Sequence, residues 1–251
     1  MDGDQTLGWI KPDDGVRLAP GVQDYECFRL DAWLRARGVT GVRVLVETSV
    51  AENGHELAQL LGTGDPQRLL RPARSLAARG ARALCWACTS GSFAGGFRWA
   101  EAQIQRLTAE TGLPMTSAAF ALAEAVGSLG TGTVDLLSPY PAPLTETLCR
   151  FLADCGVRVR TALALECATG SDSHGLDLRT ALAGFAASPT REGVPLLIPD
   201  SAVNTLDLVA TLEAELGRPV VTANQATLWK GLALLGMPSA VPGAGLLLTG
   251  R

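Results

Sequence analysis

Histidine, tyrosine and methionine are nearly missing from this chain, with two, two and three copies among its 251 residues. Neither His55 nor His174 has a partner at metal-ligand spacing, so no metal centre is expected and both take solvated or hydrogen-bonded roles. Charge is thin as well. Only 18% of residues are charged, the formal net charge is −4, and no Lys/Arg cluster occurs, which argues against nucleic acid or an anionic membrane as the main partner. No apolar stretch reaches the roughly 18 to 20 residues of a membrane-spanning helix. Asp2 and Asp4 stand where a signal peptide would be basic, so a cytoplasmic location is expected. Six cysteines (Cys27, Cys85, Cys88, Cys149, Cys155, Cys167) are too few for a disulfide scaffold in a chain this long and read as reduced thiols, most of them inert core residues.

What the chain does have is apolar segments broken by small polar turns; 47% of it is apolar, enough for one large core or two of roughly 100 to 130 residues. The run Ala83-Leu84-Cys85-Trp86-Ala87 gives way at Cys88 to Thr89-Ser90-Gly91-Ser92, where a buried strand hands over to a helix. In open α/β sheets, ligands lie beyond the carboxyl ends of strands. Free N–H groups and the positive end of the next helix there favour a carboxylate and depress a thiol's pKa. Cys88 is therefore expected to be acidic and reactive, the plain alternative being a buried structural thiol. Cys85 points to the opposite face of the strand, which argues against a redox or zinc pair with Cys88.

A second segment follows the same plan. Pro195-Leu196-Leu197-Ile198-Pro199 leads into Asp200-Ser201-Ala202-Val203-Asn204 and then a helical pattern. Both helices end on glycine-x-proline stops, Gly112-Leu113-Pro114 and Gly217-Arg218-Pro219, and both stops lead to small polar residues, Thr116-Ser117-Ala118 and Val221-Thr222-Ala223. The matching predicts a duplication. Further strands are predicted at 8–10 before a loop at 11–15, at 42–46 before a loop at 47–49, at 134–137 and at 157–165. Helices are predicted at 65–79, 144–154 and 177–187, with a loop over 168–175. The alternation predicts an α/β protein of two similar doubly wound domains, with parallel sheets related by pseudo-two-fold symmetry and the active site in the cleft between them. The first domain is expected to be 1–114 plus 220–251, carrying Cys88, and the second 115–219, carrying Tyr140 and Asp200.

Three stretches together match a known family: Gly80 through Cys88-Thr89-Ser90-Gly91-Ser92-Phe93 to Pro114, Val134 to Tyr140, and Leu206-Asp207 with Leu212 to Val220. Over most of its length the chain resembles the aspartate/glutamate racemase superfamily, in the branch that holds maleate cis-trans isomerase and arylmalonate decarboxylase. That resemblance implies cofactor-independent chemistry. Two residues, usually cysteines, face one bound carboxylate from opposite sides, and small hydroxyls and backbone N–H groups stabilise the enediolate-like charge that develops. It places Cys88 at the first position, Thr89, Ser90 and Ser201 in the anion cradle, Tyr140 as a carboxylate-binding phenol, and Asp200 where the second thiol is usual. Asp200 is either an acid/base group or the N-cap of the following helix. Tyr140, between two prolines, otherwise only packs in a turn. The resemblance implies a maleate isomerase-like enzyme acting on a small mono- or dicarboxylate, as monomer or homo-oligomer. The missing second thiol counts against a two-thiol racemase and an arylmalonate-type decarboxylase, which remain the runner-up alternatives, and a catalytically attenuated carboxylate-binding protein is the reading from another class.

Overall fold

The computed structural model describes residues 5–13, 22–186 and 193–249. The expected end of the helix at Ala187 and the loop residues Asp14 and Gly15 lie outside them. The first half runs β1 (Gln5–Asp13), α1 (Leu30–Ala36), β2 (Val42–Val50), α2 (Leu57–Thr63), α3 (Pro66–Ala78), β3 (Ala83–Trp86), α4 (Thr89–Phe93), α5 (Gly96–Thr111), β4 (Met115–Ser117) and α6 (Ala118–Ser128). The second runs β5 (Thr133–Ser138), α7 (Ala142–Asp154), β6 (Arg158–Ala164), α8 (Gly170–His174), α9 (Leu178–Ala186), β7 (Leu196–Ile198), α10 (Val209–Leu216), β8 (Val220–Thr222) and α11 (Ala223–Leu234). All strand pairs are parallel, and the two sheets repeat one topology, β2-β1-β3-β4 and β6-β5-β7-β8. The predicted two-sheet α/β architecture is the one found.

The stop signals act as expected. Gly112 and Gly217 adopt left-handed φ of 68° and 63°, and each donates its N–H back to a carbonyl of its helix. Asp65 accepts from Gln67 N–H and starts α3 with Pro66 in its first turn. Three readings need correction. β1 and β2 run on through 11–13 and 47–50, because parallel pairing between them continues to Asp13 and Val50. The segment 168–175 contains helix α8, closed by a capping box between Thr169 and Asp172. The expected domain boundaries at 114/115 and 219/220 fall one strand too early, because 115–117 pairs with β3 and 220–222 pairs with β7.

The core fills the space on both faces of each sheet, and the strand residues nearest the middle, such as Leu7, Trp9, Leu84, Leu136 and Leu197, are fully buried. α6 and α11 follow the last strand of each sheet and pack together between the halves. Within the second sheet, buried Asp135 is held by Arg160 at 2.8 Å and Arg218 at 2.6 Å. Burial alone would raise its carboxyl pKa, but the two guanidinium groups outweigh it and hold the pKa below the ordinary value. This triad sits at the amino-terminal end of β5, away from the strand ends that carry Cys88 and Asp200.

Candidate active site

β3 and β7 are third in their respective sheets, and each delivers one polar side chain just past its carboxyl end. All four residues of β3 are buried, so the turn after it is buried too. Cys88 N-caps α4, with its Sγ accepting the Gly91 N–H at 3.3 Å and lying 4.0 Å from Ser90 Oγ. Glycine is required at 91, because a Cβ there would lie 2.9 Å from Sγ and 3.3 Å from the Trp86 ring. Ser92 is structural: its hydroxyl donates to the Thr89 carbonyl and accepts the Ala119 N–H, stitching α4 to α6.

The expected acidity of Cys88 is reversed. Burial pushes the thiol up to about 12; the Gly91 N–H, the Ser90 hydroxyl and Lys11 pull it down, Asp200 pushes it further up, and burial dominates. The helix that was to lower it has five residues, too short for a dipole able to offset desolvation. Cys85, as expected, faces away, with its Sγ 3.7 Å from the Thr227 carbonyl in α11.

Asp200 is 5% exposed and does not cap a helix. Its Oδ1 accepts the Ala202 N–H at 2.9 Å and its carbonyl accepts the Val203 N–H at 3.3 Å, closing a turn, while α10 begins nine residues on at Val209 with Leu208 as its N-cap. The other oxygen, Oδ2, receives no donor from the described residues and lies 3.9 Å from Nε2 of His55. His55 comes from the loop between β2 and α2. Its backbone N–H donates to the Ala168 carbonyl, and its Nδ1 lies 2.7 Å from the Cys167 carbonyl. A carbonyl only accepts, so Nδ1 carries a hydrogen, and Nε2 is the ring atom that faces Asp200. His174 is likewise hydrogen-bonded, to the carbonyls of Ala202 and Gln23.

Cys88, Ser90, Asp200 and Ser201 line one cleft of about 60 Å³ together with two residues that the sequence reading did not select, His55 and Lys11. Lys11 ends the buried part of β1. It is 8% exposed, its Nζ donates to the Pro12 carbonyl at 2.8 Å and lies 3.8 Å above the Tyr25 ring, and no carboxylate of the described residues is within ion-pair distance. Lys11 is one of only two lysines in the chain, and His55 one of two histidines; that scarcity was the available signal. Tyr140 and Thr89 lie behind the wall. The Tyr140 hydroxyl donates to the Pro199 carbonyl at 3.1 Å, its ring meets His55 edge-on at 4.9 Å, and burial raises its pKa far above the phenol's ordinary value. The described residues include no group of three or more His, Cys, Asp and Glu side chains placed to hold a metal ion, and none of their helices is long and apolar enough to cross a membrane.

The chain and its fold have known relatives. The family model described as arylmalonate decarboxylase matches residues 53–248. A maleate isomerase of Pseudomonas putida is 34% identical over 157 residues, 61% of this chain and 62% of that protein, so the chain matches under two thirds of its length. An arylmalonate decarboxylase of Bordetella bronchiseptica is 30% identical over 181 residues, 70% of this chain and 74% of that one. Among solved structures, a Pseudomonas putida maleate isomerase with maleate superposes with a TM-score of 0.84 at 24% identity, covering 98% of both chains. A Nocardia farcinica maleate cis-trans isomerase bearing a covalently bound succinylcysteine intermediate superposes with a TM-score of 0.84 at 22% identity, covering 99% of this chain and 100% of that one. At these identities the two structures show the shared fold. With most of its length inside the family match, the chain belongs to the arylmalonate decarboxylase family, in the branch of the aspartate/glutamate racemase superfamily that holds maleate isomerase and arylmalonate decarboxylase.

Proposed function

We propose that this protein is a cofactor-independent isomerase that converts a small cis-enedioate, maleate or a close analogue, to its trans isomer, with Cys88 as nucleophile. The observation that carries this reading is the cleft itself, where a thiol, an ammonium with no carboxylate of the described residues at ion-pair distance, a carboxylate and an imidazole converge on a space that fits a compact ligand. Relatedness to maleate isomerases supports it. The Lys11 ammonium and the hydroxyls of Ser90 and Ser201 bind the carboxylates. The Cys88 thiolate adds to one olefinic carbon, forming the C–S bond, and the π pair moves onto the neighbouring carboxylate as an enediolate. Rotation about what is now a single bond, followed by C–S cleavage, releases the trans acid and restores the thiolate. The donors around the carboxylates stabilise the charge of the intermediate more than that of the ground state, which is what lowers the barrier.

Thr89 and Tyr140 support this site from behind. Tyr140 fixes the Pro199 carbonyl and thereby the backbone that presents Asp200. Proton NMR of the purified protein with maleate is expected to show fumarate accumulating, and Cys88→Ser to show none. Release of carbon dioxide from an arylmalonate without any isomerisation of maleate would replace this reading with the decarboxylase one.

A further inference from the structure

We infer that His55 and Asp200 act as a single base, receiving the Cys88 proton into a position shared between Asp200 Oδ2 and His55 Nε2. The inference rests on Cys88 being the nucleophile. With burial holding that thiol up at about 12, the thiolate is only about one part in 10⁵ at neutral pH, so a base must be supplied.

The geometry identifies it. The two side chains are each 6% exposed and approach to 3.9 Å. The hydrogen that His55 donates to the Cys167 carbonyl sits on Nδ1, so Nε2 is the ring atom turned to the one Asp200 oxygen that no described donor reaches. A proton delivered to this gap is held by both once the two side chains close from 3.9 Å to hydrogen-bond distance. The other ionisable groups around the pair are unsuited to the task. Lys11 is a cation and has no lone pair to offer. Glu52, at the mouth, faces Arg68 at 3.6 Å and is half-exposed. Tyr140 already donates to Pro199, and burial raises the Cys167 thiol. The step balances: the S–H bond breaks, its electron pair stays on Sγ, the proton passes to the pair, and it returns to Sγ once the trans acid has left. The net charge of the cleft does not change, because the carboxylate is neutralised as the thiolate forms.

The alternative role for Asp200 has the opposite sign. A bystander carboxylate beside a thiol only raises its pKa, so removing the charge would make Cys88 more reactive. Alkylation of Cys88 by iodoacetamide at neutral pH, followed by peptide mass mapping, separates the two and needs no acid substrate. Failure here is therefore distinct from failure of the isomerase reading. Asp200→Asn keeps an oxygen for the Ala202 N–H, and His55→Asn keeps a donor for the Cys167 carbonyl. Each is expected to alkylate about 100-fold more slowly than the wild type, the lower end of what a positioned general base contributes, with unchanged circular dichroism. Faster or equal alkylation in Asp200→Asn, or an unchanged rate in His55→Asn, overturns the proposal. If Asp200→Asn does not fold, the His55→Asn rate decides it alone.

Discussion

The first half ends β3 on a thiol gripped by one backbone N–H of a five-residue helix, whereas the second half ends β7 on a carboxylate that closes a turn and leaves one oxygen to a histidine borrowed from the first half. The strand order and the glycine stops are the same in both. What the duplicated scaffold supplies is a position, the second residue beyond the third strand of each sheet, and the chemistry placed there is free to diverge. The thiol side needs close packing, which Gly91 and Gly64 provide. The carboxylate side needs partners from a distance, and it is tied down by buried Glu26, which accepts the N–H groups of Thr205 and Leu206 and the side-chain amide of Asn224.

Making the thiol half resemble a hydroxyl half breaks the comparison most severely. Cys88→Ser is expected to cut turnover by at least about 10³-fold with the melting temperature nearly unchanged, since the side chains are close in volume but far apart in nucleophilicity. Steady-state kinetics beside a thermal melt checks this. Next comes the packing around that thiol. A Cβ on Gly64 would lie 2.1 Å from the Gly91 carbonyl and 2.3 Å from the Trp99 ring, so Gly64→Ala is expected to cost about 3 kcal/mol in denaturant unfolding and to displace Cys88 with it.

The carboxylate side has its own weak point, supplied by the first half, and it depends on pH. Burial raises Glu26 from about 4.5 to about 7, against the lowering effect of its hydrogen bonds. A carboxyl whose folded pKa is raised contributes stability that is full below its unfolded value and is lost as pH rises through the folded one. Between pH 4.5 and pH 7 the wild type is therefore expected to lose on the order of 3 kcal/mol from this group. Glu26→Gln, which cannot ionise, is expected to flatten the curve in that window; a slope equal to that of the wild type would discard the assignment.

Two smaller effects sharpen the contrast at the cleft. Lys11→Met is expected to raise KM for a dicarboxylate about 10-fold or more, through loss of one charge-assisted contact worth roughly 1.5 to 3 kcal/mol. The same change is expected to move the Kd of a monocarboxylate much less in calorimetric titration. Tyr140→Phe, which removes the bond to the Pro199 carbonyl, is expected to lower stability by about 1 kcal/mol and kcat modestly, with KM held, because the phenol stands behind the cleft. A large KM effect would place it in contact with substrate instead.

Most of the scaffold was legible in the sequence. Glycine past a helix end is a local signal, and Gly112, Gly217 and the apolar run before Cys88 each marked their elements, because backbone sterics and a period of two or 3.6 act over a few residues. The extra length of β1 and β2 was hidden, since Lys11 and Glu47 look like loop residues until a neighbouring strand supplies their hydrogen bonds. The helix α8 was masked by a segment rich in Thr, Gly, Ser and Asp, whose Thr169 and Asp172 turned out to be a capping box.

By itself the sequence determined the two repeated sheets, the family, and the placing of Cys88 and Asp200 just past strand ends, all consequences of short-range pattern. The tertiary structure alone decided what those two groups are able to do. Cys88 lost its expected acidity because the surrounding core removes water from the thiol, and desolvation outweighs one N–H from a short helix. Asp200 gained an imidazole neighbour at 3.9 Å because the loop after β2 brings His55 across to it from 145 positions away in the chain. Lys11 became the charge of the cleft because β1 lies beside β3 in the sheet. Proton affinity and charge pairing depend on distance and solvent in three dimensions, and no local pattern of residues encodes either.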